Sequence, residues 1–240
     1  MYKFTVEDGG KPRKISLPEK WGEVTLGMLI DMAEMQLLPE DERTFTRTLS
    51  ILTGEDEKTF RAAAIGDVHQ MRGYLWWLKA DEFFKTAPEP VDSFILKGVT
   101  YHVTPDPGRS TWGQIEDAKN LLMQEVDMTT YIHKLLAIYC LPVQIKQRFP
   151  WSRAKKVIAS YDYDESLIRA EVFRGLDAVT SWGLARFFLN KLEASMKRSA
   201  GGGSLKKSAN TRWKKMLPAF TNLKRGVFIK RLHIFIIMMF

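Results

Sequence analysis

Apolar and polar positions alternate at the start of the chain and then fall into helical spacing. Residues 2–6 and 13–17 form two alternating or β-branched runs around Asp8-Gly9-Gly10, which supplies the backbone freedom a hairpin turn needs. Pro18 closes the second run. Thr25 is a predicted N-cap for a helix carrying Leu26, Leu29, Ile30 and Ala33. Pro39, Glu40 and Asp41 suit the first turn of a second helix, with Phe45, Leu49, Ile51 and Leu52 on its apolar face and Gly54 past its end. A short helix holds Phe60, Ala63 and Ala64. Asp67 is predicted to cap a longer one through Val68, Met71, Tyr74, Leu75 and Leu78, running on to Phe83 and Phe84.

The same grammar returns in the second half. Ala87-Pro88-Glu89-Pro90 has the composition of a linker. Beyond it, Phe94-Ile95-Leu96 and Val99 to Val103 bracket Lys97-Gly98 as a second hairpin. Ser110 or Thr111 is the predicted cap of a helix bearing Trp112, Ile115, Leu121 and Leu122, and Thr129 or Thr130 begins one through Ile132, Leu135, Leu136 and Tyr139, stopping near Pro142. Trp21-Gly22-Glu23-Val24 is echoed by Trp112-Gly113-Gln114-Ile115, 91 positions later, and Trp76-Trp77-Leu78 by Phe187-Phe188-Leu189, 111 positions later. The difference matches the size of residues 143–163, which have no counterpart in the first half. The expected fold class is therefore α+β, mainly α, built as two tandem modules of a short β-hairpin and about four helices. The modules occupy residues 1–87 and 91–196, and a flexible basic tail occupies 197–240.

Charge supports that division. The chain has 36 Lys and Arg against 28 Asp and Glu, a net charge of +8. No acid follows Glu193, and residues 197–240 hold 11 of the basic residues, so a mildly acidic body carries a basic tail. Ala200-Gly201-Gly202-Gly203-Ser204 is a flexible-linker composition. The closing run Leu232 to Phe240 is about half the roughly 20 residues a membrane-spanning helix needs, so no span is expected. No charged leader with a long apolar core opens the chain, and the single cysteine fits a reducing compartment.

Catalytic and metal motifs are sparse. Cys140 lies in the apolar run Leu135 to Leu141 and reads as a small buried hydrophobe rather than a nucleophile. His69, His102, His133 and His233 lie in different predicted elements, without a partner at metal-ligand spacing. Asp162-Tyr163-Asp164-Glu165 lacks the glycine and distal glutamate of a calcium loop and reads as an acidic helix start. Neither a phosphate-binding loop nor a nucleophile elbow is present. Enzyme activity is disfavoured, and no cofactor is expected.

Binding features remain. Trp76-Trp77 and Phe83-Phe84 occupy adjacent helical positions, so one ring of each pair points away from the main apolar stripe. Those rings are either partner anchors or part of a helix buried on most sides. Phe187 and Phe188 repeat the arrangement. The tail interleaves Lys206, Lys207, Arg212, Lys214, Lys215, Lys224 and Arg225 with Trp213, a composition suited to nucleic acid or acidic surfaces, or equally to a solvated extension.

The sequence Leu17-Pro18-Glu19-Lys20-Trp21-Gly22-Glu23-Val24-Thr25-Leu26, then Leu49-Ser50-Ile51-Leu52-Thr53-Gly54 and the closing Trp76-Trp77-Leu78, resembles small virion-assembly proteins of tailed bacteriophages. The type is the tail-assembly chaperone, especially of phages of Bacteroides-like hosts. Asp177-Ala178-Val179 followed by Phe187-Phe188-Leu189-Asn190-Lys191 is similar to the end of such proteins, so the resemblance covers residues 2–195. It implies a non-enzymatic helper in the host cytoplasm, or in the virion, that binds tape-measure or tail-tube proteins. Some such chaperones have a frameshift-extended form, and the change in composition near residue 197 fits an extension. The tail departs from the family pattern, and nucleic-acid binding through it is the alternative function.

Overall fold

The computed structural model describes residues 1–8, 11–35, 43–78, 91–104, 110–122, 128–147 and 153–200. Strand β1 (Tyr2–Asp8) pairs antiparallel with β2 (Lys11–Leu17), Tyr2 opposite Leu17 and Asp8 opposite Lys11. Alternation sends Val6, Ile15 and Leu17 into the core and leaves Lys3, Thr5, Lys14 and Ser16 exposed. A 3-10 turn, Trp21–Glu23, leads into helix α1 (Leu26–Met35), whose Met28 amide donates to Thr25 Oγ1 at 3.2 Å as the capping pattern predicts.

Helices α2 (Thr44–Thr53), α3 (Glu57–Ala62) and α4 (Ile65–Tyr74) follow. The predicted opening of α2 at Pro39–Asp41 lies outside the described residues. Gly54 takes the left-handed conformation at φ 74° and ends α2. Asp56 caps α3 by accepting from the Lys58 amide at 2.9 Å. Helix α4 begins three residues earlier than expected, so Asp67 lies in its first turn and Ala64 at its cap. The α-helix then tightens into a 3-10 turn over Leu75–Leu78, and the expected continuation beyond it lies outside the described residues. Phe83 and Phe84 lie outside the described residues.

In the second half, β3 (Ser93–Leu96) and β4 (Val99–Val103) form the expected hairpin. Positive φ at both Lys97 (48°) and Gly98 (78°) gives a turn whose twist suits the two strands. Helix α5 (Trp112–Leu122) opens with a reciprocal cap: the Thr111 amide donates to Gln114 Oε1 at 3.0 Å and the Gln114 amide to Thr111 Oγ1 at 3.4 Å. A 3-10 turn, Met128–Tyr131, leads to α6 (Ile132–Tyr139).

The next element differs from expectation. The apolar run does not stop at Pro142 but passes from helix to strand at Cys140, giving β5 (Cys140–Lys146), which is joined by β6 (Lys155–Ile158). The unmatched segment thus turns the hairpin into a four-stranded antiparallel sheet of order β3-β4-β5-β6. Helices α7 (Tyr163–Phe173) and α8 (Ala178–Ala200) complete the order, capped by Asp162 and Asp177. Among the described residues there are eight α-helices and two antiparallel sheets, a mixed and mainly helical fold.

The two halves meet along one line of backbone. Thr25 and Asp177 form an antiparallel bridge, so the two capping residues, and the helices they start, lie side by side. The Leu26 and Gly27 amides donate to the Leu176 and Arg174 carbonyls, both at 2.7 Å, and the Ala178 amide to the Val24 carbonyl at 2.8 Å. Gly27 permits this approach, since a Cβ there would sit 3.1 Å from the Arg174 carbonyl oxygen. Buried residues of both halves, from Val6 to Leu192, belong to a single hydrophobic cluster. Aromatic pairs mark it: Trp21 against Trp77 at 5.5 Å, Tyr101 against Phe173 at 4.8 Å, and Tyr139 against Phe188 at 4.9 Å.

Asp177 holds the Thr180 amide at 2.8 Å while its own backbone makes the bridge. Asp177→Ala therefore removes the cap and leaves the junction, and is expected to lower the unfolding free energy by about 1 kcal/mol in urea titration. Asp177→Asn, which keeps an accepting oxygen, is expected to lose much less.

Candidate functional site

Two buried polar side chains, Gln114 and Arg169, converge with half-buried Thr104 on the last turn of α6. That helix is buried at every position except half-buried Lys134, so water cannot serve its terminal carbonyls. Leu136 O accepts from the Cys140 amide. Ala137 O accepts from both Nε (3.1 Å) and Nη2 (2.9 Å) of Arg169, which is only 5% exposed. Ile138 O accepts from Gln114 Nε2 at 2.7 Å. Tyr139 O accepts from both the amide (3.1 Å) and the hydroxyl (2.8 Å) of Thr104.

Sequence reasoning passed over Thr104 and Arg169 and saw Gln114 only as part of a repeated motif. An arginine in a helix with acidic neighbours gives no signal that it is buried. Its burial disfavours the charged form and lowers its pKa, with Glu165 and the tyrosines opposing that shift. Nearby, the Tyr161 hydroxyl donates to Asp117 Oδ2 at 2.7 Å, and burial together with this carboxylate raises the phenol above its ordinary range.

Cys140 has no exposed surface, and burial pushes its thiol far up, so it packs as the predicted small hydrophobe. His133 is 4% exposed, and burial lowers its pKa to about 4, with Lys134 and Arg174 adding to the effect. His69 is exposed, His102 half-buried, and His233 outside the described residues. Among the described residues no group of three or more His, Cys, Asp or Glu could hold a metal ion, and no helix is long and apolar enough to cross a membrane. Asp162, Asp164 and Glu165 form the acidic helix start expected of them. This centre joins elements of the fold, and on the same helix His133 Nδ1 and Tyr139 Oη are buried without a hydrogen-bond partner among the described residues.

The outward features are aromatic. The chain from Tyr74 to Leu78 sends three rings in different directions. Tyr74 packs on Tyr2 (4.3 Å) and Phe4 (5.3 Å) of β1, Trp77 packs on Trp21, and Trp76 is 53% exposed. Trp77 and Phe188, expected at a partner surface, are instead core side chains at 3% and 0% exposure. The tight turn aims Trp77 at Trp21, and Phe188 stacks on Tyr139. Phe187 is half-buried with the Lys191 ammonium 5.6 Å from its ring centre. Trp112 differs sharply from its counterpart Trp21. It follows its cap, in the first turn of α5, and is 73% exposed, whereas Trp21 precedes its cap and is 5% exposed. Lys119 lies over the Trp112 ring at 5.6 Å. Lys206, Lys207, Arg212, Trp213, Lys214, Lys215, Lys224 and Arg225 lie outside the described residues.

Comparison with protein families, curated proteins and solved structures finds no match for this chain.

Two outcomes follow for the buried centre. Arg169→Ala leaves Ala137 O without either donor and is expected to cost roughly 1–3 kcal/mol of stability, read by urea unfolding. For His133, the folded value of about 4 lies below the 6.5 of an exposed histidine. Between those values the unfolded chain binds the proton that the folded chain refuses, so stability is full above about pH 6.5 and falls as pH drops toward 4. His133→Gln is expected to flatten this dependence between pH 7 and pH 5, measured by the same titrations.

Proposed function

We propose that this chain is a non-enzymatic bacteriophage assembly or structural protein of the tail-assembly-chaperone kind, binding tape-measure or tail-tube proteins by surface contact. The reading takes its two halves as one repeated module and its place of action as the host cytoplasm. The observation that carries it is Trp76. Its neighbours Leu75, Trp77 and Leu78 are fixed in the core, so the exposed indole is held on a rigid support. A large ring held in this way loses little conformational freedom when covered, which is the property of an interface anchor. The resemblance of residues 2–195 to such proteins, and the use of Arg169, Gln114 and Thr104 for internal bonding, support the same reading. The basic tail supplies the alternative, binding to nucleic acid.

The test is affinity capture from phage-infected cells with nuclease treatment. It compares the full chain, a chain ending at Ala200, and Trp76→Ser, identifying captured proteins by mass spectrometry. The full and shortened chains are expected to retain a tape-measure or tail-tube protein, with recovery falling about tenfold for Trp76→Ser. Capture that requires the tail and vanishes with nuclease overturns the reading in favour of nucleic acid.

A further inference from the structure

Strand β6 is an edge of the four-stranded sheet. Its ladder with β5 runs Val143–Ile158, Gln144–Val157, Ile145–Lys156 and Lys146–Lys155. The Ala159 amide donates to the Pro142 carbonyl at 2.9 Å, which fixes the phase of the ladder. In an antiparallel pair every second residue bonds to its partner, so Lys155 and Val157 bond toward β5. The main-chain N–H and C=O groups of Lys156 and Ile158 then point outward, and no strand pairs with them among the described residues.

The side chains around this edge are an unusual mixture. Ile145 is 73%, Ile158 45% and Val157 38% exposed, while Lys146, Arg153, Lys155 and Lys156 are all exposed. None of the four cations forms an ion pair among the described residues, and residues 143–160 contain no acid. Lys146 and Lys155 are directly opposed, an arrangement of like charges that destabilises the ladder. Lysine on an edge strand can simply deter self-association. That purpose does not account for uncovered Val157 and Ile158 on the edge itself; Lys146 lies in the part of β5 that pairs with β6 but not with β4, which reaches only Cys140–Pro142.

We propose that the open edge of β6 binds an extended acidic segment of another protein, which adds to the sheet as a further strand. Its backbone pairs with Lys156 and Ile158, its carboxylates neutralise Lys146 and Lys155 on the face they share, and its apolar residues cover Ile145 and Ile158 on the other face. Nucleic acid would use the cations alone and leave the backbone edge and three aliphatic side chains uncovered. The site is separate from the Trp76 turn and stands or falls independently of it.

The experiment uses the full chain and fluorescence anisotropy. The probes are a labelled short peptide of alternating Glu and Val, a Lys-Val control peptide, and a labelled single-stranded DNA oligonucleotide. Two variants separate charge from backbone. Lys155→Glu with Lys156→Glu reverses charge, and by placing an acid opposite Lys146 relieves the like-charge pair, so its melting temperature is expected not to fall. Ile158→Pro keeps every charge and removes one outward N–H, a substitution an edge position tolerates. The Glu-Val peptide is expected to bind the unaltered chain and to weaken about tenfold in both variants, with the Lys-Val peptide not binding. Any of four results overturns the proposal: no binding of the Glu-Val peptide, equal binding by all three chains, loss in the charge variant alone, or tighter binding of DNA that depends on these lysines.

Discussion

A helix buried on nearly every side must find partners for its last carbonyls within the protein, because water cannot reach them and an unmet carbonyl costs as much as a lost hydrogen bond. Helix α6 meets this constraint with four donors from four places. The Cys140 amide is the first residue of β5, Thr104 follows β4, Gln114 lies in α5 and Arg169 in α7. Fixing these groups around one turn fixes the elements that carry them. The sheet, α5 and α7 can pack on α6 in one arrangement only if all these bonds form together.

From that turn the constraint reaches the first half. Phe173, at the end of α7, packs on Tyr101 of β4, and the loop that follows receives the amides of Leu26 and Gly27. Helix α1 therefore starts from a backbone junction about 150 residues away in sequence, and Trp21 and Trp77 pack just beyond it. The polar residues that sequence inspection would test first for chemistry, Cys140 and His133, fall inside this framework, where burial holds one protonated and the other neutral. The outward-facing groups include aromatic Trp76 and Trp112 and, at the open edge of β6, aliphatic side chains beside exposed lysines. A rigid body with such groups on its surface is suited to contact with other proteins.

Much of the local structure was legible because capping and turn chemistry are local. Thr25 and Thr111 act as the predicted caps, Gly54 as a helix end, Lys97-Gly98 as a hairpin turn, and residues 162–165 as an acidic helix start, whereas the predicted cap Asp67 lies inside its helix. Strands β5 and β6 were not legible. The apolar run through Leu135 and Leu141 crosses from helix to strand without a glycine or turn residue to mark the change, and Pro142 in the strand suggested a stop. Exposure was the other gap. Trp21 and Trp112 share a motif, yet a shift of several residues relative to the helix cap buries one and exposes the other. The roles of Arg169 and Gln114 depend on contacts across 32 and 24 residues, which no spacing rule reports.

The central claim is that α6 and the junction at Thr25 and Asp177 make the two halves one cooperative unit. Native-state hydrogen exchange across a series of low denaturant concentrations tests it most directly. The slowest amides of α1, α6 and α8 are predicted to converge on one opening free energy with one denaturant dependence. Exchange of the α1 amides at a clearly lower free energy, while those of α6 and α8 stay protected, would contradict the account.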